Sequence, residues 1–159
     1  MEKILKLLER DATLTPETIA VMLGIDEAAV KAAIDEYKKE GVIIGAKTVI
    51  NWEKTPDEVV SAIIELKVTP QRGEGYDKIA SNIYQYEEVS DLYLMSGAYD
   101  LCVKVEGKTM KEVALFVSEK LATIDEVIST STHFVLKNYK VSGMVVDTKK
   151  EDIREVISI

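Results

Sequence analysis

Residues 89–137 constrain the fold more than any other part of the sequence. Their apolar spacing predicts two strands joined by a glycine-containing turn, then a helix, then a further strand. The turn, residues 96–100, reads Ser-Gly-Ala-Tyr-Asp. Such a turn places backbone N–H groups, a tyrosine ring and a carboxylate at one edge of a small sheet. These groups are suited to holding a zwitterionic small molecule.

The residues before this segment complete a C-terminal module. Residues 59–68 alternate in the manner of a strand, and residues 73–86 have the period of a helix. Together with residues 89–137 they give the order β-α-β-β-α-β, which is typical of a ferredoxin-like antiparallel sheet with both helices on one face. We therefore expect an α+β protein with a ferredoxin-like domain over residues 59–147.

The sheet face without helices is predicted to be apolar. Four residues should point to it, namely Val59, Ile63, Val127 and Val135. An apolar face of this kind is usually covered, so we expect it to pair with a second copy of the chain. Residues 141–146 are predicted to form one more edge strand. A helical tail over residues 148–159 would follow and lock the assembly.

The N-terminal residues have the pattern of three helices. Thr15 and Pro16 mark the start of the second helix, and Gly24 ends it. Asp26 marks the start of the third helix, which is longer. Two helices joined by a glycine-containing turn, the second of them longer, form a helix-turn-helix.

Two short apolar stretches follow the third helix, at residues 41–45 and 47–50. They would supply the strands of a wing, so we expect a winged helix-turn-helix over residues 1–50. Residues 51–58 have no clear period and contain Pro56, which suits a linker between domains.

The charge of the chain bears on any DNA-binding role. The net charge is −8. The phosphates of duplex DNA repel acidic protein surfaces, and affinity for DNA comes largely from contacts of lysine and arginine with those phosphates. The third helix has no arginine, so a three-helix packing unit without a nucleic-acid role is one interpretation. If this unit binds DNA, the contacts should come from the exposed residues Glu27, Ala28, Lys31, Lys38, Lys39 and Lys47.

Several functional classes are not expected. Cys102 is the only cysteine, which excludes an intrachain disulfide and a thiolate metal cluster. No apolar run approaches the ~20 residues needed to cross a bilayer. We expect a cytoplasmic protein without a cofactor, a metal site or a membrane partner.

The combined pattern resembles the Lrp/AsnC (feast/famine) transcription regulators. The resemblance is carried by the helix-turn-helix, the crossover containing Trp52, the turn of residues 96–100, Lys120-Leu121 with Ile124 and Val127, and residues 130–132. It implies dimers that assemble into octamers or other multiples, double-stranded DNA bound by the winged domains, and an amino-acid effector held where regulatory modules meet. By motif, the implied effector site comprises Ser96, Gly97, Ala98, Tyr99, Asp100, Thr130 and Thr132.

Two rival interpretations remain open. The sirohaem decarboxylases have a similar two-module outline, but their polycarboxylate substrate favours a site rich in basic residues, whereas this chain has three arginines and only one histidine, His133. The second rival is a regulator that senses an amino acid, has little DNA affinity of its own and acts by co-assembly with a basic relative. We expect a regulator rather than an enzyme.

Overall fold

The chain divides into two compact units, residues 1–49 and residues 50–159. The structure, a computed structural model, describes residues 2–70, 73 and 75–146. The helical tail predicted for residues 148–159 lies outside the described residues. The residues predicted as a linker belong to the second unit, where Trp52–Lys54 form a short 3₁₀ turn. Among the described residues, no helix combines the length and the apolar character required to cross a lipid bilayer.

The first unit contains the three predicted helices, α1 (Glu2–Arg10), α2 (Pro16–Leu23) and α3 (Glu27–Lys39). Both predicted N-caps are present: Thr15 Oγ1 accepts the Thr18 N–H at 3.2 Å, and Asp26 Oδ2 accepts the Ala29 N–H at 3.2 Å. Each cap satisfies a backbone N–H that the helix itself leaves free. The buried side chains between the helices are Ile4, Ile19, Ala20, Val30 and Ala33.

The wing strands predicted at residues 41–45 and 47–50 are not formed among the described residues of this unit. The N–H groups of Val42 and Ile43 instead donate to the Tyr37 carbonyl at 2.9 and 3.1 Å, and the following residues have no strand pairing. Ile44 is 95% exposed, so this segment buries little apolar surface. A two-stranded hairpin without a packed face is marginal in water, which explains the difference.

The end of α2 offers a test of the helix-turn-helix geometry. Gly24 is in the left-handed region, with φ +66°, and a Cβ built there meets no atom within 4 Å. Gly24→Ala should therefore lower the free energy of unfolding through backbone strain alone, by about 1–2 kcal/mol. Gly45 is the matched control, because a Cβ built there also meets no atom within 4 Å while its φ is not in the left-handed region. Gly45→Ala should change stability by less than about 0.5 kcal/mol in the same urea titration; equal losses at both sites would contradict the prediction.

The second unit has the predicted β-α-β-β-α-β order. Its elements are β1 (Val60–Val68), α4 (Gly75–Tyr84), β2 (Val89–Leu94), β3 (Leu101–Gly107), α5 (Met110–Phe116) with a π-helical segment (Val117–Leu121), and β4 (Val127–Phe134). The sheet is antiparallel with the strand order β2-β3-β1-β4. The prediction of a ferredoxin-like fold is confirmed.

One face of the sheet forms the core together with the helices. Alternate residues of β1 and β3 point to it, and α4, α5 and the π-helical segment cover it. Thr109 caps α5, because its Oγ1 accepts the Glu112 N–H at 3.1 Å while Glu112 Oε2 accepts the Lys108 N–H at 2.7 Å. The fully buried side chains include Ile64, Leu66, Ile79, Ile83, Leu101, Val103, Val105, Val113 and Leu121.

The opposite face of the sheet carries more charge than predicted, and Val127 does not belong to it. The pairing of β1 with β4 shifts between Lys67, which pairs with Ser129, and Val68, which pairs with Val127. This bulge turns Val127 to the helix side, where it packs against the core. We call the other side the open face; its strand residues are Ile63, Glu65, Lys67, Asp91, Tyr93, Cys102, Lys104, Glu106, Ser129, Ser131 and His133.

Residues 141–146 do not form the single edge strand that was predicted. They belong to a small hairpin in which β5 (Lys140–Val141) pairs with β6 (Met144–Val145). Ser142 and Gly143 between them have φ of 46° and 82°. Two successive residues with positive φ form a tight two-residue turn, and this turn interrupts the apolar run.

Candidate effector site and DNA-binding surface

Asp100 anchors the turn between β2 and β3 to the end of β1. Its N–H donates to the Leu66 carbonyl at 3.0 Å, and its own carbonyl accepts the Met95 N–H at 2.8 Å. Its carboxylate Oδ2 accepts the Val68 N–H at 2.9 Å. Asp100 is therefore a structural residue of the turn as well as a candidate ligand contact.

Lys67 is a component of this site that sequence reasoning missed. Its Nζ lies 3.4 Å from Asp100 Oδ2 and 3.3 Å from the Ala98 carbonyl oxygen. The side chain of Lys67 is 44% exposed and that of Asp100 is 17% exposed, so the pair lies at the surface rather than in the core. An ammonium group and a carboxylate side by side provide one contact for each end of a zwitterion.

The tip of the turn is open. Ser96, Gly97 and Ala98 are exposed, and Tyr99 is half-buried. Gly97 has φ +150°, and a Cβ at this position would meet no atom of the chain within 4 Å. The space beside the glycine is therefore free in one chain, and its backbone conformation is one that other residues rarely adopt.

Thr130 and Thr132 lie elsewhere in the sheet. They pair with Leu66 and Ile64 of β1 and are half-buried on the helix-covered side. Leu66 also pairs with Leu101, so β1 separates Thr130 from the turn by two strand spacings, or about 10 Å. One chain thus does not bring the two threonines against the turn, and their role as effector contacts stays a prediction.

The candidate DNA-binding residues all lie on the surface of the first unit. Val30 and Ala33 of α3 are buried, which leaves the opposite side of the helix to solvent. Lys38 and Lys39 occupy its last turn, and Lys47 is exposed in the segment that follows. Glu27, Ala28 and Lys31 are exposed near its start. The structure thus places these residues at the start and the end of α3 and in the segment that follows it.

A polar cluster that sequence reasoning missed joins the π-helical segment to the start of β2. Lys120 Nζ lies 2.7 Å from Glu88 Oε1 and 5.0 and 5.3 Å from the ring centroids of Tyr86 and Phe116. The hydrogen bond from Lys120 lowers the pKa of Glu88, and the same bond raises the pKa of Lys120. A shallow depression of about 510 Å³ surrounds the pair, lined by Gln85, Tyr86, Glu87, Glu88, Glu106 and Lys120. Since Lys120 and Glu88 satisfy each other, the cluster is best explained as a link between the helix and the sheet.

The open face holds a second polar cluster, which contains the single histidine. His133 Nε2 lies 3.1 Å from Ser131 Oγ and 3.2 Å from Glu65 Oε2. Burial raises the pKa of the neighbouring Cys102 thiol, and the charge of Glu65 raises it further. A raised pKa lowers the fraction of reactive thiolate at Cys102. Within the described ranges, no group of three or more histidine, cysteine, aspartate or glutamate residues is arranged to hold a metal ion.

Comparison with protein families matches both units. Residues 2–44 match the winged helix-turn-helix DNA-binding family, and residues 61–145 match the Lrp/AsnC ligand-binding domain. The second match contains the turn, the Lys67–Asp100 pair and both threonines.

Similar proteins extend the match over nearly the whole chain. An uncharacterised HTH-type transcriptional regulator of Bacillus subtilis, YugG, is 48% identical over 157 residues, which cover 98% of this chain and 95% of that protein. The regulatory protein AsnC of Haemophilus influenzae is 26% identical over 86% of this chain and 89% of its own length. The structure of the transcriptional regulator NMB0573 of Neisseria meningitidis in complex with L-methionine has a TM-score of 0.71 at 17% identity, with coverage of 90% and 92%; this likeness concerns the fold. The chain belongs to the Lrp/AsnC family of transcriptional regulators.

Proposed function

We propose that this protein is a DNA-binding transcriptional regulator whose second unit binds an amino acid or a related zwitterion. One observation carries the proposal: a winged helix-turn-helix match and an Lrp/AsnC ligand-binding match occupy the two units of a single chain. The first unit then supplies the DNA contacts, and the second supplies the response. Such a regulator acts on chromosomal DNA, which supports the predicted cytoplasmic location. The relatives named above are regulators rather than enzymes.

The turn of residues 96–100 is the proposed effector site. Asp100 would receive the α-ammonium group of the ligand, while Lys67 and the N–H groups beside Gly97 would receive its α-carboxylate. The Lys67–Asp100 separation of 3.4 Å supports this, because it holds both charges on one edge of the sheet. The L-methionine complex of the Neisseria regulator is consistent with an amino acid as the ligand class.

The two threonines would complete this site from a second chain. β1 lies between them and the turn, so Thr130 and Thr132 of one copy reach the ligand only if another copy presents them at the turn. This supports the implied location of the effector between regulatory units. The exposed residues Leu94 and Met95 at the end of β2, with Ser96 and Ala98 of the turn, would then border the ligand side chain.

A thermal-shift screen tests the ligand class. The full chain would be heated with each of the twenty amino acids at millimolar concentration. A ligand at about 100 times its dissociation constant should stabilise the protein by ~2.7 kcal/mol, which appears as a raised melting temperature. Gly97→Val is the control variant and should show no shift with the same ligand. If no amino acid shifts the unaltered protein, the proposed ligand class is wrong.

We also propose that the chain forms a homodimer through the open face, with octamers or other multiples of dimers built from it. Ile63 on the inner strand β1 and Tyr93 on the edge strand β2 are 40% and 53% exposed on that face, beside charged residues that pair with one another. Light scattering at micromolar concentration should give at least twice the chain mass of 17.7 kDa.

Ile63→Lys tests whether this face is the contact. The added charge would have to be buried without a partner, so the variant should sediment as a single chain while keeping its far-UV circular dichroism. Leu136→Lys, at an 88% exposed position beyond β4, is the matched control and should leave the mass unchanged. A single-chain mass for the unaltered protein would refute the proposed dimer.

The alternative function is a regulator with little DNA affinity of its own, which acts by co-assembly. The acidic residues Asp35 and Glu36 on the exposed side of α3 favour it, because they repel phosphate. A gel shift at low salt with the DNA upstream of its own coding sequence separates the two functions. A shifted band supports direct binding; free DNA at every protein concentration supports co-assembly.

A further inference from the structure

The single histidine of the chain lies on the open face rather than at the turn. His133 of β4 pairs with Ile63 of β1. Its Nε2 lies within hydrogen-bonding distance of Ser131 Oγ and Glu65 Oε2, at 3.1 and 3.2 Å. The side chain of His133 is 58% exposed and that of Glu65 is 35% exposed. Both would therefore lose water if this face were covered. We call Glu65, Ser131 and His133 the histidine cluster.

The other ionisable groups that face this cluster come from β1, β2 and β3. Lys104 of β3 lies 3.9 Å from Asp91 and 3.4 Å from Glu106, so its charge is shared between two carboxylates. The ammonium group of Lys67 on β1 forms an ion pair with Asp100 at the turn.

Cys102 and Tyr93 stay uncharged near neutral pH. Burial raises the pKa of the Cys102 thiol, and the charge of Asp91 raises the pKa of Tyr93, whose hydroxyl donates to that carboxylate at 3.2 Å. The π-helical segment, which also contacts β4, lies on the helix-covered side. Imidazole is the side chain whose ordinary range of titration falls between pH 5 and 8. His133 carries the imidazole of this face.

We propose that protonation of His133 strengthens the pairing of two chains through the open face, so that self-association depends on pH. The inference rests on the proposed dimer and adds a regulation to it. The partner is an identical copy, because the proposed dimer already covers this face. With a neutral imidazole, its strands hold the carboxylates of Glu65, Asp91 and Glu106 against the ammonium groups of Lys67 and Lys104, of which Lys67 also pairs with Asp100. Two such faces repel each other, and protonation of both histidines reduces that repulsion.

Desolvation of Glu65 acts in the same direction. A carboxylate that loses water is costly unless a positive group pairs with it. The imidazolium of His133 supplies that group at 3.2 Å, as a charge-assisted hydrogen bond. Association should therefore take up protons, and the dimer dissociation constant should fall as the pH falls from 8.5 to 5.5. We expect about a tenfold change or more, the factor of one charge-assisted hydrogen bond.

Sedimentation equilibrium of the full chain at several pH values and constant ionic strength tests the proposal. His133→Gln keeps a hydrogen-bonding side chain that cannot be protonated, so this variant should associate weakly at every pH. Glu65→Gln removes the carboxylate that needs the proton, so this variant should associate tightly at pH 8.5 and should not associate more tightly as the pH falls. Lys111→Gln, on an exposed position of α5, is the control and should keep the full pH dependence. Far-UV circular dichroism confirms that each variant is folded.

The possible failures are distinguishable. Single chains at every pH would overturn the proposed dimer and the pH inference together. A dimer whose dissociation constant is the same at pH 5.5 and pH 8.5 would overturn the inference and leave the dimer in place. A pH dependence that persists in His133→Gln would show that other groups are responsible, and would also overturn the inference.

Discussion

Replacing Lys31, Lys38 and Lys39 by alanine is expected to lower the affinity for duplex DNA by about 10³-fold or more, since each lysine that leaves a phosphate loses a charge-assisted hydrogen bond. The three side chains are exposed on α3, whose buried side holds Val30 and Ala33. Each lost phosphate contact should also reduce the slope of log affinity against log salt by roughly one unit. Fluorescence anisotropy at 50 to 200 mM salt measures both quantities.

The net charge of −8 makes a control with the same charge change necessary. Alanine at three exposed lysines of the second unit, Lys108, Lys111 and Lys140, changes the total charge equally but leaves α3 intact. This control should lose much less affinity and keep its salt slope. Equal losses in both variants would show that overall charge governs binding, and unchanged tight binding in the α3 variant would show that another surface contacts DNA.

Gly97→Val is expected to abolish the amino-acid response, with effector binding at least about a hundredfold weaker. At φ +150° a branched side chain is strained, so the turn must move to accept valine, and its N–H groups then leave the positions proposed for the ligand carboxylate. Because a Cβ meets no atom within 4 Å, the sheet itself should remain folded. Isothermal titration calorimetry measures the binding, and circular dichroism measures the fold.

Asp100→Asn separates charge from shape at the same site. Asparagine keeps an oxygen that can accept the Val68 N–H, so the anchor of the turn should persist. The lost charge should weaken an α-ammonium contact by about 1.5–3 kcal/mol. Asp125→Asn, at an exposed position of the same unit, is the control. If Asp100→Asn binds the effector as tightly as the unaltered protein, Asp100 has only the structural role.

Features set by neighbours in the sequence could be predicted. Thr15 and Asp26 cap the helices at which they were expected, because a cap is formed with an N–H only three residues away. The order of strands and helices in the second unit follows from apolar periods of two and 3.6 residues. The ferredoxin-like sheet follows in turn, since few topologies satisfy that order.

Features set by pairing across the sheet could not be predicted. Val127 was assigned to the wrong face because a one-residue bulge in β4 is invisible in an alternating pattern. The contact of Lys67 with Asp100 and that of His133 with Glu65 depend on the register of β1 with its two neighbours, because the partners lie 33 and 68 positions apart in the sequence. The wing strands were predicted from local apolar content, but strands also require a partner surface.

The separation of Thr130 and Thr132 from the turn has a consequence for how the regulator would respond in a growing cell. A binding site divided between two chains fills only when the chains have met, so occupancy depends on the number of protein copies as well as on the amino acid. The same nutrient level would then produce a weak response when the regulator is scarce and a strong one when it is abundant. Control of its own synthesis would set the nutrient threshold without any change in the site itself.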